Sequence, residues 1–362
     1  MSADQLTSEF GHERLTVFSD PGSGAMGVIA IHSTALGPAM GGLRLLRYPG
    51  MTDAVVDALR LARAMSFKSA AAGLDLGGGK AVLIDDGKWV ERREDRMHAV
   101  GRAIEALHGD YITAEDVGTS PADMAMIASV TTHVAGGPAE RGGSGDPSPY
   151  TARTVFGSIA AAARIALRRD GLDGVRVGVE GVGHVGSELT VLLAAAGAEV
   201  ILADIRTDHA EAVAARYGAT AVPLQGFKFG EFDVFAPCAL GGAIGLDEVE
   251  RLAARIVAGA ANNPLTHRQV ATALADRGIL YVPDFIANSG GIIHVGAEAL
   301  GLGPEKVEQL IAGSIDSSAR ILAEAQAAGR LPLDLAEEQA EARLCAGSRA
   351  DGSGERLKLR TG

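Results

Sequence analysis

Residues 175–204 constrain the fold of this 362-residue chain more than any other segment. Residues 175–179 form an apolar run with strand character. It leads into Glu180-Gly181-Val182-Gly183-His184-Val185-Gly186, a GxGxxG, and then into an apolar helical pattern through Leu193 that Gly197 stops. Residues 199–203 read as a second strand, and Asp204 closes it. An isolated GxGxxG carries little weight. Set between a strand and a helix, with an acid closing the next strand, it is a dinucleotide fingerprint. Gly181 permits the tight turn, Gly183 lets a pyrophosphate approach, and Gly186 allows close helix packing. The loop residues Val182, His184 and Val185 lead into a helix N-terminus whose unsatisfied N–H groups suit phosphates. Asp204 is placed to accept hydrogen bonds from the adenosine ribose and would repel a 2′-phosphate. NAD is therefore favoured over NADP, although Arg206 leaves NADP open.

Beyond this unit, strand expectations fall at 234–236, 256–258 and 279–282, with helices over 266–277 and, upstream, 151–169. Alternating apolar strands and amphipathic helices predict a parallel sheet covered on both faces, a Rossmann-like doubly wound domain. The glycine- and proline-dense residues 136–149 are the best candidate linker. The N-terminal part reads as a smaller α/β arrangement. A hairpin is expected over 15–18 and 28–32, a break over 37–42 and a strand over 43–46. A helix capped by Thr52 or Asp53 should run to about 64, followed by a strand at 81–84, a helix at 94–107, and a strand at 111–113 ending at Ala114-Glu115-Asp116. The expected domains are 1–140, joined by a C-terminal helix at about 333–346, and 141–332. Residues 347–362 form a tail expected to be disordered.

The net charge of −12 argues against nucleic acid or an anionic membrane as a partner, since both favour a basic surface. Cys238 and Cys345 have neither disulfide-framework nor metal-ligand spacing, which fits a reducing compartment and no metal. The polar N-terminus is not a secretory signal, and no apolar run reaches the ~20 residues of a membrane span. A cytoplasmic protein is expected.

Chemistry concentrates at residues 65–82, MSFKSAAAGLDLGGGKAV, where Lys68 and Lys80 flank Gly77-Gly78-Gly79. Glycine is used where a chain bends sharply or another group must approach the backbone. Lys80 is thus either placed for contact or is a solvated lysine after a flexible surface turn.

Several blocks together resemble the Glu/Leu/Phe/Val dehydrogenase family of NAD-dependent amino-acid dehydrogenases, especially its leucine and valine members. They are GPAMGGLR (37–44), residues 65–82, YITAEDVGT (111–119), GGSGDPSPYTA (142–152), the GxGxxG unit, DVFAPCALGG (233–242), AGAANNPL (258–265) and YVPDFIANSGGII (281–293). The resemblance implies an N-terminal substrate and oligomerisation domain, a homo-oligomer, and reversible oxidative deamination of an amino acid to a 2-oxo acid and ammonia. It implies that Lys68 binds the substrate carboxylate with help from the backbone at Gly41 and Gly42, that Lys80 is the base activating water, and that Asp116 shuttles protons. Asn262 or Asn263, Asn288 and Thr151 would hold the nicotinamide end or the substrate amine, and Cys238-Ala239 would border the nicotinamide ribose.

A free lysine titrates near ~10.4, so Lys80 needs burial or a neighbouring cation to act near neutrality, and Lys68 is the expected cation. Cys238 reads as a packed groove residue, Glu115 as structural and His184 as an exposed spacer. The family's side-chain pocket corresponds to Met40, Ala114, Ile292 and Val295. All four are aliphatic and offer no partner for a second carboxylate, which favours valine, leucine or isoleucine. Leu43, Ser69 and Glu180 depart from the family's commoner residues. A phenylalanine dehydrogenase and a catalytically idle NAD-binding sensor or scaffold are the alternatives.

Overall fold

The computed structural model describes residues 11–138, 140, 143–239 and 241–350, the last three by backbone alone. They gather into two compact units. The first takes the chain up to Asp146, Ile292–Val307 and the residues from Ala340 onward; the second takes Pro147–Gly291 and Glu308–Gln339. Residues 292–307, placed by sequence in the nucleotide domain, thus group with the first unit.

The first unit is built on a five-stranded sheet: β1 (Arg14–Asp20), β2 (Ala25–Ser33), β3 (Ala39–Leu46), β4 (Gly77–Ile84) and β5 (Tyr111–Glu115), in the order β1-β2-β4-β3-β5. β1 and β2 form the expected antiparallel hairpin. Three readings are corrected. Met40, Gly41 and Gly42 do not break the chain but lie within β3. The helix expected to stop near residue 64 is α1, Met51–Ala71, and it carries Lys68 in its last turn. The triple glycine is likewise no surface turn but the buried start of β4. A β-carbon at Gly78 would lie 2.0 Å from the Ser66 amide nitrogen and 2.6 Å from the Ala62 carbonyl oxygen. The missing side chain lets α1 lie directly on the strand.

Side chains alternate across a strand, and the two faces of this sheet fill differently. Val28, Ala30 and Val82 pack with Ala54, Ala58, Leu59 and Ala62 of α1. Ile29, Leu43, Ala81, Leu83 and Tyr111 pack on the other side. Their partners are Met97, Val100 and Ile104 of α2 (Arg93–Glu105) and Met124 and Ile127 of α3 (Pro121–Ala128). Helix α3, missed in the sequence, starts at a Ser120/Asp123 capping box. The C-terminal helix Pro332–Ala350 sets Ala340 and Leu344 against Phe67 and Ala70. Arg343 donates to the carbonyls of Ser69, Ala70 and Leu74 at 3.3, 3.1 and 2.8 Å, a cation placed at the negative end of α1. This helix enters the tail expected to be disordered; residues 351–362 of that tail lie outside the described residues.

The second unit holds six parallel strands: β6 (Arg176–Glu180), β7 (Glu199–Ala203), β8 (Thr220–Ala221), β9 (Val234–Pro237), β10 (Ile256–Val257) and β11 (Leu280–Tyr281). Their order, β11-β10-β9-β6-β7-β8, is the doubly wound arrangement that reverses beside β6. Helices α4 (Ser148–Ala166) and α5 (His184–Ala195) cover one face through Val155, Ile159, Leu189 and Leu193. Phe227, Phe232, Val270 and Leu274 belong to the core on the other. Among the described residues no helix is long and apolar enough to cross a membrane, and no His/Cys/Asp/Glu group could hold a metal.

Candidate active site

Lys80 sits on the face of β4 that α1 covers, two residues from Gly78. It is 5% exposed, and its Nζ donates to Asp116 Oδ2 at 2.7 Å. Arg44 Nε donates to the same oxygen at 2.8 Å, and its Nη1 reaches Asp57 Oδ2 at 3.1 Å. The Tyr48 hydroxyl donates to Asp57 Oδ2 at 2.7 Å. The Thr119 hydroxyl donates to the Leu43 carbonyl at 2.8 Å and accepts from the Asp116 amide at 3.0 Å, fixing the turn that carries the acid. A β-carbon at Gly42 would lie 2.7 Å from Asp116 Cβ and 3.1 Å from Lys80 Nζ, so only glycine leaves this pocket open.

Burial pushes the Asp116 carboxyl up, but the charges of Lys80 and Arg44 and the hydrogen bonds they donate outweigh it and hold the group at about 2. Burial pushes Lys80 down, Asp116 opposes that, and Arg44 adds to it. Desolvation, one of the two causes expected from sequence, comes first, and Arg44, which the sequence reading did not name, is a cation set against Lys80 through the shared carboxylate. Lys68 is half-buried at the end of α1, on the helix covering the same sheet face.

Strand register places Met40, Gly42 and Ala114 on this face too, through the pairs Met40–Ile112 and Gly42–Ala114. Gly41, one residue over, directs its carbonyl to the Tyr111 hydroxyl at 2.7 Å. A β-carbon at Gly136 would meet Val295 Cγ1 at 3.6 Å and Ala114 Cβ at 3.9 Å. Ala114 and Val295 thus share one apolar wall, and Gly136 forms its third side. Met40 and Ile292 are buried at 2% and 7% exposure. The stretch expected to be a free linker is tied down in the first unit: Glu298 Oε2 accepts from the amides of Gly136 at 3.0 Å and Ser144 at 2.8 Å.

In the second unit the ends of β6, β7, β9 and β10 bring the nucleotide-site candidates to one edge of the sheet. Gly181 has φ +93°, and a β-carbon there would lie 2.8 Å from Ala239. At Gly186 it would lie 2.0 Å from the Gly181 carbonyl oxygen, and at Gly183 it would meet nothing. The loop is therefore tight below and open above, the shape a pyrophosphate requires. Asp204 Oδ2 accepts from the Val182 amide at 2.8 Å and Oδ1 from the Arg206 amide at 2.9 Å, which orients the carboxylate. Cys238 donates its amide to the Glu180 carbonyl at 2.8 Å, and burial pushes its thiol up to about 12, which suits a packed residue and not a nucleophile.

The residues after β10 are similarly pinned. Asn288 Nδ2 donates to the Ala260 carbonyl at 3.0 Å and to Asn262 Oδ1 at 2.9 Å. This fixes the amide and leaves its Oδ1 buried without a partner, an acceptor that a carboxamide or ammonium would satisfy. Asn263 takes φ +48° and donates its amide to Asp284 at 2.8 Å. Thr151 Oγ1 lies in the first turn of α4, 2.8 Å from where a β-carbon at Gly291 would stand. His184 opens α5 and is exposed; Val185 follows it, half-buried. These residues fit a dinucleotide.

Residues 12–133 match the family described as Glu/Leu/Phe/Val dehydrogenase, dimerisation domain, and residues 202–302 match Glutamate/Leucine/Phenylalanine/Valine dehydrogenase. The chain belongs to this family. It is an amino-acid dehydrogenase of the oxidoreductases acting on CH–NH2 donors. It is 41% identical over 336 residues to a leucine dehydrogenase of Thermoactinomyces intermedius, covering 93% of this chain and 92% of the relative. It is 42% identical over 337 residues to a valine dehydrogenase of Streptomyces coelicolor, covering 92% of each. The crystal structure of L-tryptophan dehydrogenase from Nostoc punctiforme superposes with a TM-score of 0.83 at 35% identity, over 96% of this chain and 100% of that one.

Sequence reasoning missed Arg44, Asp57 and Gly136. Arg44 was visible as the only cation of the GPAMGGLR block. Asp57 gave no signal, because its partner lies on a strand and only the packing of α1 brings the two together.

Proposed function

We propose that the protein catalyses the reversible NAD-dependent oxidative deamination of a branched-chain L-amino acid to its 2-oxo acid and ammonia. The observation that carries this reading is the ion pair of buried Lys80 with partly exposed Asp116, 2.7 Å apart on the sheet face that also carries Met40, Gly42 and Ala114. Lys68 binds the substrate carboxylate as a point charge, with the backbone at Gly41 and Gly42 lining the approach. Bound at the second unit's glycine loop, NAD+ would supply the acceptor for the hydride of the α-carbon. Lys80, as the free amine, then takes a proton from the water that adds to the imine carbon. Asp116, ionised at rest, takes a proton from the substrate ammonium as the imine forms and returns it to the departing nitrogen, and ammonia leaves with the hydroxyl proton as the carbonyl forms. In the reverse direction the same two groups return those protons.

Gly181, Gly183, Gly186 and the start of α5 receive the pyrophosphate, Asp204 the adenosine ribose, and Asn288 with Asn262 or Asn263 and Thr151 the nicotinamide end. The aliphatic wall of Ala114 and Val295, with Met40 and Ile292 buried in the same unit, supports a branched aliphatic substrate. A second carboxylate there would lose its hydration without gaining a partner. The first unit is read as the site of homo-oligomerisation.

A substrate panel with NAD+ and NADP+ tests the proposal. Valine and leucine should exceed phenylalanine, tryptophan and glutamate in kcat/KM, and Lys80→Ala should lower turnover by ~10²–10⁴-fold. Preference for an aromatic substrate would overturn the pocket reading, and undiminished turnover in Lys80→Ala would overturn the assigned base.

A further inference from the structure

We propose that Arg44 is a positioning residue for this reaction: held from behind by Asp57, it fixes the Asp116 carboxylate against Lys80 and sets the charge balance of the pair. The inference rests on the reading of Lys80 and Asp116 given above. Arg44 presents its planar fork to two acids at once, Nε to Asp116 at 2.8 Å and Nη1 to Asp57 at 3.1 Å. A guanidinium can hold such a pair in fixed register, whereas an ammonium is a point charge on a flexible stem. The Tyr48 hydroxyl bonds the Asp57 oxygen that Arg44 uses, so the anchor is itself anchored. Arg44 and Lys80 meet on one oxygen of Asp116, too close for their charges to be independent.

The charges around Lys80 explain what Arg44 adds. Asp116 after β5 and Asp57 on α1 favour the ammonium form, and Arg44 on β3 disfavours it. Lys68 lies on the same helix as Asp57, Glu115 precedes Asp116, Tyr111 on β5 donates its hydroxyl to Gly41, and His32 on β2 contacts Ser66 of α1. Without Arg44, two carboxylates would face a single lysine and hold its proton. With Arg44, one of the two negative charges is already matched, and Lys80 can release its proton into the range where water activation needs a free amine.

Signs follow for two variants. Arg44→Met should move the acidic limb of the kcat/KM profile for amino-acid oxidation toward alkaline pH by about one to two units. Asp57→Asn should move it the opposite way and by less, because Arg44 outweighs Asp57 among the charges acting on Lys80. Arg44→Lys should keep the limb near its wild-type position while lowering kcat, since charge is retained and the fork is lost. A purely structural role predicts no such opposition of sign.

The experiment measures these profiles and, in parallel, titrates the lysine side chains of wild type, Arg44→Met and Asp57→Asn by NMR, with Lys80→Ala assigning the Lys80 signal. Opposite displacements in the two variants support the proposal. Unchanged limbs and an unchanged Lys80 titration in folded variants overturn it. If wild type oxidises no amino acid, the functional reading fails, and the Lys80 titration still decides Arg44. If Arg44→Met does not fold, Asp57→Asn decides alone: an alkaline or absent displacement refutes the charge balance.

Discussion

Replacing Asp116 with asparagine tests the central charge arrangement without a change of shape. In the wild type this carboxylate accepts from Lys80 Nζ at 2.7 Å and Arg44 Nε at 2.8 Å. The amide keeps the volume and removes the charge, leaving a lysine of 5% exposure with an arginine beside it. Breaking a buried pair by removing one partner costs ~3–5 kcal/mol. Asp116 is 23% exposed and Arg44 retains Asp57, so the lower end, about 3 kcal/mol at pH 7, is expected. Lys80 can relieve the penalty by releasing its proton. Because burial lowers its proton affinity in the folded state below the unfolded value, the unfolded chain binds more protons. Stability of the variant should therefore recover as pH rises toward the unfolded value of 10.5, narrowing the gap from wild type. In acid it is the wild type that changes. Asp116 is held at about 2 against 3.8 unfolded, so its contribution is complete above 3.8 and lost as pH falls through about 2. The variant lacks that limb, worth ~2 kcal/mol. Urea unfolding at pH 3, 7 and 9.5 reads these values, and Trp89, the single tryptophan and 3% exposed, reports the first unit. An Asp116→Asn variant as stable as wild type at pH 7, or a deficit that widens toward pH 9.5, would refute the charge assignment.

Two further substitutions probe the scaffold and the nucleotide edge. Gly78→Ala puts a methyl 2.0 Å from the Ser66 amide nitrogen, so α1 must lift from β4; a loss of ~1–3 kcal/mol is expected, and an unchanged urea midpoint would show that the helix does not rest on the strand. Asp204→Ala removes the carboxylate oriented by the Val182 and Arg206 amides; kcat/KM for NAD+ should fall ~10–100-fold with the amino-acid KM held, and equal use of NAD+ and NADP+ before the change would contradict the assigned role.

What the sequence made legible follows from the range of the forces involved. The β6–loop–α5 unit is readable because its determinants are local: an apolar run, glycines at fixed offsets and an acid closing the next strand. The hairpin and the alternation of β9, β10 and β11 with helices are readable for the same reason. At residues 37–42 and 65–79, glycine reads as a break in regular structure, yet both runs lie largely in regular elements. Their purpose is nonlocal. Gly41 makes room for the Gly79 carbonyl and Gly78 for α1, and a glycine that admits a neighbour looks, in sequence, like a glycine that admits a turn. The same ambiguity cuts α1 short and removes Lys68 from the helix that carries it. Arg44 and Asp57 could not be paired in advance, because their meeting depends on how α1 crosses β3 and β4.

The misread glycines and the proposed chemistry share one cause. Gly78 and Lys80 are two residues apart and face the same side of β4, so the helix that presses onto Gly78 also closes over the strand leading to Lys80. Ser66 N and Ala62 O occupy the space a β-carbon at 78 would need, which leaves no gap between helix and strand for water at that point. A side chain at 78 would hold α1 off, admit solvent alongside the lysine and restore its ordinary basicity. Lys80 then remains protonated near neutrality and unable to take a proton from water. On this argument Gly78→Ala should move the acidic limb of the pH profile toward alkaline values, with Lys80, Asp116 and Arg44 all intact. A variant that loses stability while keeping the wild-type limb would separate packing from proton affinity and show that burial of Lys80 does not depend on the seating of α1.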